Sequence, residues 1–188
     1  MPREPDFDEL LATMKKAAGA LRDAGIPFAL AGGLAVWARG GPRTEHDVDF
    51  LVKPDDAEHA QNVLGDAGFR KERPPEGWLL KAFDGDRMID LIFDPSGGPV
   101  DDAWLERAET IEVHATTMPV ASLEDVLVTK LMSLNEQNLE YSSVLEIARA
   151  VREQVDWETV RRRTGDSPFA AAFFTLLEKL GVVENAPA

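Results

Sequence analysis

Three aspartates stand at positions where their side chains could bind a divalent cation. Asp47 and Asp49 lie in the strand-like run 47–52, DVDFLV, where apolar residues alternate with them. Because successive side chains of a strand point to opposite faces of a sheet, the alternation predicts both carboxylates on one face. Neighbouring like charges repel, so the pair is unfavourable unless a cation lies between the two side chains.

Asp90 is the third aspartate, in the strand-like run 87–93, RMIDLIF. If this run and 47–52 share a sheet and a core, the register places Asp90 on the same face as the first two aspartates. Three carboxylates suit Mg²⁺, which retains several waters and is typically completed by substrate phosphates. The pattern therefore predicts a magnesium site for phosphoryl transfer.

A Gly-Gly pair precedes the aspartates. Gly32 and Gly33 follow the apolar run 28–31, FALA, and open a predicted helix over residues 34–39. Glycines at a strand-to-helix turn leave backbone N–H groups open to an anion, which predicts a resting place for a triphosphate. An isolated Gly-Gly usually marks only a tight turn. Its order and spacing relative to the aspartates favour the triphosphate-binding interpretation over a plain turn.

This arrangement resembles the nucleotidyltransferase superfamily typified by DNA polymerase β: Gly32-Gly33, then Asp47-x-Asp49 after a short helix, then Asp90 on a later strand. The resemblance covers roughly residues 8–150. It implies that Asp47 and Asp49 bind Mg²⁺, that Asp90 helps to activate an acceptor hydroxyl, and that the two glycines hold phosphate.

Further residues are similar to the AbiEii-like branch, which includes the MenT-type toxins of toxin–antitoxin pairs. They are Arg43-Thr44 beside the aspartates and the segment 119–131, which contains Lys130. The resemblance implies that Arg43, Thr44 and Lys130 contact the nucleotide. The chain departs from the toxin type at residues 140–143, which read EYSS where a basic residue paired with an aspartate is expected.

Lys130 has two interpretations, and His46 is a further candidate site residue. Lys130 lies at the margin of an apolar helix stripe, so its stem could simply run along the core. Its ammonium could equally reach a triphosphate, and the resemblance favours this second interpretation. His46 directly precedes Asp47, close enough to contact nucleotide or metal-bound water.

The acceptor of the transferred nucleotide stays open at this stage. Resemblance to toxin-type relatives ranks the 3′ end of tRNA first, with a cognate antitoxin as a partner. A small cationic molecule, such as an aminoglycoside-like antibiotic, ranks second, and a protein acceptor third. A nucleotide-binding module without turnover is the alternative of a different class.

Charge bears on that ranking. The 188-residue chain has a formal net charge of −14, which opposes binding to a phosphate backbone and suits a cationic acceptor. Basic residues cluster at Arg39 with Arg43, at 70–73 and at 161–163. The last cluster is interpreted as a solvated helix face in preference to a nucleic-acid patch.

The expected fold class is α+β: a small mixed sheet with helices, of the polymerase β-like nucleotidyltransferase type, followed by a C-terminal helical region. The proposed division is 1–120 and 121–188. Helices are predicted at 6–24, 34–39, 56–65, 101–108, from Ser122 past Lys130, at 143–154, 156–163 and 167–180, with a hairpin about Asp84-Gly85. No cysteine, signal-peptide pattern or long apolar run is present, so a cytoplasmic location without membrane contact is expected.

Overall fold

A computed structural model describes residues 7–44 and 47–183; His46 and the helix-start residue Asp6 lie outside this part. Within it, the helices are α1 (Phe7–Asp23), α2 (Gly32–Ala38), α3 (Pro54–Asp66), α4 (Asp102–Glu106), α5 (Leu123–Met132), α6 (Ser142–Val151), α7 (Trp157–Arg163) and α8 (Pro168–Lys179). The strands are β1 (Phe28–Leu30), β2 (Asp47–Val52), β3 (Arg70–Glu72), β4 (Leu79–Asp84), β5 (Arg87–Ile92), β6 (Glu109–Val113) and β7 (Thr116–Val120). One 3-10 turn, Arg152–Gln154, follows α6.

The strands described form one mixed sheet in the order β3-β4-β5-β2-β1-β7-β6. β2 runs parallel to β5 and β1 parallel to β7, and the other neighbours are antiparallel. This confirms the predicted fold class. Helices α5 to α8 follow the last strand, and one hydrophobic core includes residues of both parts. The division at residue 120 therefore stays a prediction.

The apolar face of the central strands is buried as the alternation predicts. Val48 and Phe50 of β2 and Ile89 and Leu91 of β5 have no exposed surface. Helices α1 and α3 contact these strands, and the ring of Phe28 meets that of Phe50 edge-on at 5.3 Å. Burial on this side fixes the register, so the alternate residues of β2 and β5 must face the other side of the sheet.

Two elements differ from the sequence predictions. β3 is not among the elements predicted from the sequence, because its residues carry no apolar alternation, yet Arg70 pairs with Phe83 of β4. α2 begins at Gly32, earlier than the predicted Leu34. Among the described residues, no helix combines the length and apolar character that a membrane crossing requires.

A buried carboxylate connects α4, α5 and α7. The Asp125 side chain is 1% exposed, and its Oδ1 accepts hydrogen bonds from Arg107 Nη2 at 2.9 Å and Arg163 Nη2 at 2.6 Å. Ser122, the N-cap of α5, donates to its Oδ2 at 3.0 Å. These contacts satisfy a charge that would be costly to bury alone.

The interpretation of Arg161–Arg163 as a solvated face is wrong for two of its three residues. Arg163 binds Asp125, and Arg161 donates to Glu178 Oε1 at 2.7 Å while lying over the Phe174 ring. Only Arg162 is exposed. The cluster mainly holds α7 against its neighbours.

Candidate active site

The structure brings Asp47, Asp49 and Asp90 together. In the parallel pairing of β2 with β5, Asp49 stands directly beside Asp90, and Asp47 lies one alternate position earlier on β2. One carboxylate oxygen from each of the three residues lies within 4.8 Å of the others. The spatial convergence predicted from alternation is therefore present.

The electrostatics of this cluster favour a bound cation. Burial, with repulsion from Asp47 and Asp90, raises the pKa of Asp49 to about 8, although the charges of Lys130 and Lys81 act in the opposite direction. Burial also raises the pKa of Asp90, opposed by its hydrogen bond from Lys81. A cation between these carboxylates would remove the repulsion and displace the proton.

The donor set fits Mg²⁺. Three carboxylates are hard oxygen ligands, and their separation leaves room for an ion that also retains waters or phosphate oxygens. The space beside them is kept open by glycine: a Cβ on Gly32 would overlap the Asp49 carboxylate. These residues would therefore hold a divalent cation.

The Gly-Gly pair lies against the aspartates and the loop before β2. Gly32 has φ +55°, and a Cβ on Gly33 would lie 2.6 Å from Thr44 Cβ. Ala31, the N-cap of α2, provides no side-chain cap, so the first-turn N–H groups have no acceptor from the cap residue. Close packing thus explains both glycines, and their contact with phosphate stays a prediction.

Gly32→Ala is expected to lower both stability and activity. The left-handed backbone costs an alanine roughly 1–2 kcal/mol, and its methyl group would also displace the Asp49 carboxylate. Urea unfolding with a nucleotidyl-transfer assay measures both effects, and we expect transfer to fall by about 100-fold. Gly25→Ala is the matched control, because Gly25 has φ +70° but nothing within 4 Å of a Cβ. Equal losses of transfer in the two variants would contradict the packing role of Gly32.

Lys130 lies where three cavities meet. The first, of about 130 Å³, contains Asp49 and Gly32 and is otherwise largely apolar. The second, of about 330 Å³, is lined by Gly33, Arg43 and Thr44 with Lys130. The structure therefore gathers four of the five predicted nucleotide-binding residues around the second cavity, whereas Gly32 lines the first cavity with Asp49.

The third cavity, of about 360 Å³, extends along β5 beyond Asp90. Its lining includes Ile92, Asp94, Lys130 and the indole of Trp78, which is 42% exposed. Glu76 lies near enough for its charge to raise the pKa of Asp90. Acidic and aromatic side chains thus lie on this side of the site, together with Lys130, which the third cavity shares with the second.

Lys81 is a site residue that the sequence analysis missed. Its Nζ donates to Asp90 Oδ1 at 2.9 Å, and the two side chains are 18% and 9% exposed. A signal was available, because the two-residue turn at Gly85 and Asp86 pairs Asp84 with Arg87 and so sets Lys81 opposite Asp90.

The departure at residues 140–143 has a local structural role. The Glu140 carboxylate accepts hydrogen bonds from the N–H groups of Ser142 at 2.7 Å and Ser143 at 3.2 Å, at the start of α6. Hydrogen bonding from the Ser142 side chain, followed by these N–H groups, lowers the pKa of Glu140 to about 2. The segment therefore caps a helix whose residues Ser143 and Glu146 line the second cavity.

The fold and the acidic cluster define a class of protein. Residues 8–179 match the family described as "Uncharacterised nucleotidyltransferase", and the chain belongs to that family. No protein with a curated functional description matches the sequence. The AbiEii-like branch stays a prediction.

Solved structures share this fold at low sequence identity. ANT(2″)-Ia in complex with adenylyl-2″-tobramycin has a TM-score of 0.63 and 14% identity, covering 90% of this chain and 98% of that one. An antigenic nucleotidyltransferase-like protein from Paracoccidioides brasiliensis has a TM-score of 0.60 and 17% identity, covering 92% and 88%. The lincosamide antibiotic adenylyltransferase LnuA, lincomycin-bound, has a TM-score of 0.51 and 15% identity, covering 77% and 96%.

Proposed function

We propose that this nucleotidyltransferase moves a nucleoside monophosphate from a nucleoside triphosphate to a hydroxyl group of a small cationic acceptor. The observation that carries the proposal is the convergence of Asp47, Asp49 and Asp90 beside the Gly-Gly turn. These three residues would hold Mg²⁺, which supplies positive charge to the phosphates when bound. Consumption of nucleoside triphosphate also fits the cytoplasmic location expected from the sequence.

The chain's own residues have separate roles in this reaction. Gly33, Arg43, Thr44 and Lys130 line the second cavity and would hold the triphosphate there. The acceptor oxygen bonds to the α-phosphorus, the bond to the bridging oxygen breaks, and pyrophosphate leaves with that electron pair. Asp90 accepts the hydroxyl proton.

The pairing of basic residues favours a small acceptor over RNA. Arg39 binds Glu109, Arg70 binds Glu72 and Arg73 binds Glu58, while two residues of the 161–163 cluster bind Glu178 and Asp125. Each of these basic clusters is thus at least partly neutralised within the chain, whose net charge is −14. A phosphate backbone would therefore meet less positive charge at them than the number of their basic residues suggests.

The third cavity offers groups that suit a cation. Asp94 lies in its lining and Glu76 acts electrostatically on neighbouring Asp90, while the exposed Trp78 ring could stack on an ammonium-bearing molecule. Two of the solved structures that share this fold contain adenylyl-2″-tobramycin or lincomycin, which is consistent with such an acceptor. The tRNA 3′ end and a cognate antitoxin stay predictions.

Trp78→Ala is expected to raise the KM for the acceptor by about tenfold with kcat changed less than about threefold, because a cation–π contact of roughly 1–2 kcal/mol is lost. The backbone carbonyl of Trp78, which accepts from the N–H groups of Phe93 and Asp94, remains in the variant. Leu139→Ala is the control, since Leu139 is also an exposed apolar residue, at 52%. An unchanged KM would place the acceptor elsewhere.

The acceptor class is tested by offering each α-³²P-labelled nucleoside triphosphate, with Mg²⁺, to tobramycin, lincomycin, total tRNA and the protein alone. We expect the label on a small cationic molecule and its loss in Asp47→Ala. Label on tRNA would overturn the acceptor assignment but keep nucleotidyl transfer. Nucleotide binding without any transfer would indicate a module that retains the fold without turnover.

A further inference from the structure

Lys81, Asp90 and Asp49 form one row across three adjacent strands. Lys81 of β4 is the cross-strand partner of Asp90 on β5, and Asp90 is the partner of Asp49 on β2. Neighbouring strands lie about 4.8 Å apart, so the ammonium stands at the end of a row of two carboxylates. An ammonium in this row is close enough to repel any cation that the aspartates bind.

The Lys81 side chain is held firmly in this place. Its Nζ donates to Asp90 Oδ1 at 2.9 Å and contacts Met88 Sδ at 3.0 Å, and only 18% of the side chain is exposed. Met88 stands beside Asp47 in the pairing of β2 with β5. The ammonium is therefore fixed by contacts to the same strand that presents Asp90.

We propose that Lys81 is a tethered cation that competes with a divalent metal ion for Asp90 and thereby weakens metal binding in the nucleotide-free protein. This inference rests on the magnesium site of the proposed function. The ammonium takes one of the two oxygens of Asp90, and its charge repels a divalent ion only a few ångströms away. The role is one of positioning and tuning, because Lys81 acts through Asp90.

The charges around the cluster would make metal binding depend on the triphosphate. Three carboxylates face two ammonium groups, Lys81 at Asp90 and Lys130 at the cavity that contains Asp49. Such a site attracts a bare divalent ion less than three unpaired carboxylates would. A metal ion that arrives bound to a triphosphate is part of a negatively charged complex, and the same ammonium groups attract that complex.

Mn²⁺ titration of the full chain without nucleotide, followed by the electron paramagnetic resonance signal of free Mn²⁺, tests the proposal. Lys81→Met removes the charge and the hydrogen bond, Lys81→Gln removes the charge but retains a donor, and Lys81→Arg retains both. Lys16→Met is the control, because Lys16 pairs with Asp84 outside the cluster and is 42% exposed. Thermal melts of each variant in Mg²⁺ verify that it is folded.

We expect Lys81→Met and Lys81→Gln to bind Mn²⁺ at least about tenfold more tightly than the wild type, with Lys81→Arg and Lys16→Met within about twofold of it. Unchanged or weaker binding in both uncharged variants would overturn the inference, since Lys81 would then serve to orient Asp90 as a ligand. If only one uncharged variant folds, its affinity decides. Absence of Mn²⁺ binding in every protein would instead overturn the metal site of the proposed function and this inference with it.

Discussion

Replacing Asp49 by asparagine is expected to abolish nucleotidyl transfer and, at the same time, to stabilise the metal-free protein at high pH. Asparagine keeps the shape that fits against Gly32 but loses the charge that would hold Mg²⁺. Loss of several kcal/mol of charge stabilisation corresponds to a fall of about 10³-fold or more in rate. The transfer of α-³²P label under saturating nucleotide and acceptor measures this fall.

The opposite effect on stability follows from the pKa of Asp49. Burial and two neighbouring carboxylates raise this pKa to about 8 from its ordinary value of 3.8. Between these values the folded protein retains a proton that the unfolded chain releases. The contribution of Asp49 to stability is therefore fully present below about pH 4 and is lost as the pH rises through about 8, whereas asparagine is neutral throughout.

Thermal melts in EDTA from pH 5 to pH 9 measure the difference. The Tm of Asp49→Asn relative to wild type should increase across this range, and Mg²⁺ should raise the Tm of wild type but not of the variant. Asp86→Asn is the control, since Asp86 is an exposed carboxylate of the β4–β5 turn. A Tm difference independent of pH would contradict the raised pKa of Asp49, which burial and then repulsion from Asp47 and Asp90 produce.

Asp125→Ala is expected to lower the free energy of unfolding by about 3 kcal/mol, because it leaves two arginines without their buried counter-ion. Arg107 and Arg163 both bind this carboxylate, and both lie over the Trp104 ring at 5.3 Å and 5.8 Å from its centroid. Trp104 lines the cavity that contains Asp49, so substrate binding should weaken as well. Urea unfolding and the KM for nucleotide report the two effects.

Asp102→Ala is the comparison for this variant. Asp102 pairs with Lys53 at 3.0 Å but is 79% exposed, so its removal should cost less than about 1 kcal/mol. If Asp125→Ala lowers the free energy of unfolding by no more than Asp102→Ala does, the structural importance of the buried Asp125 carboxylate is contradicted.

The aspartate cluster could be predicted from sequence because period-two alternation fixes which face each side chain takes. Once Val48 and Ile89 are buried, Asp49 and Asp90 have only one face available. The strand order could not be obtained this way. That β2 and β5 are neighbours depends on tertiary pairing, which the prediction had to assume because the local pattern does not contain it.

Lys81 and Asp125 show two different reasons for a missed residue. The hairpin turn fixes the register that places Lys81 opposite Asp90, so sequence reasoning could have found it. The partners of Asp125, Arg107 and Arg163, lie 18 and 38 residues away along the chain. No local pattern brings them together, and for the same reason the 161–163 cluster resembled a solvated face.

The most direct measurement is anomalous diffraction from crystals soaked in Mn²⁺, which replaces Mg²⁺ as a visible ion. We predict a peak within about 2 Å of a carboxylate oxygen from Asp47, Asp49 and Asp90. Manganese bound only elsewhere, with no peak among these three residues in crystals that also contain nucleotide, would contradict their assignment as the metal site of a nucleotidyltransferase.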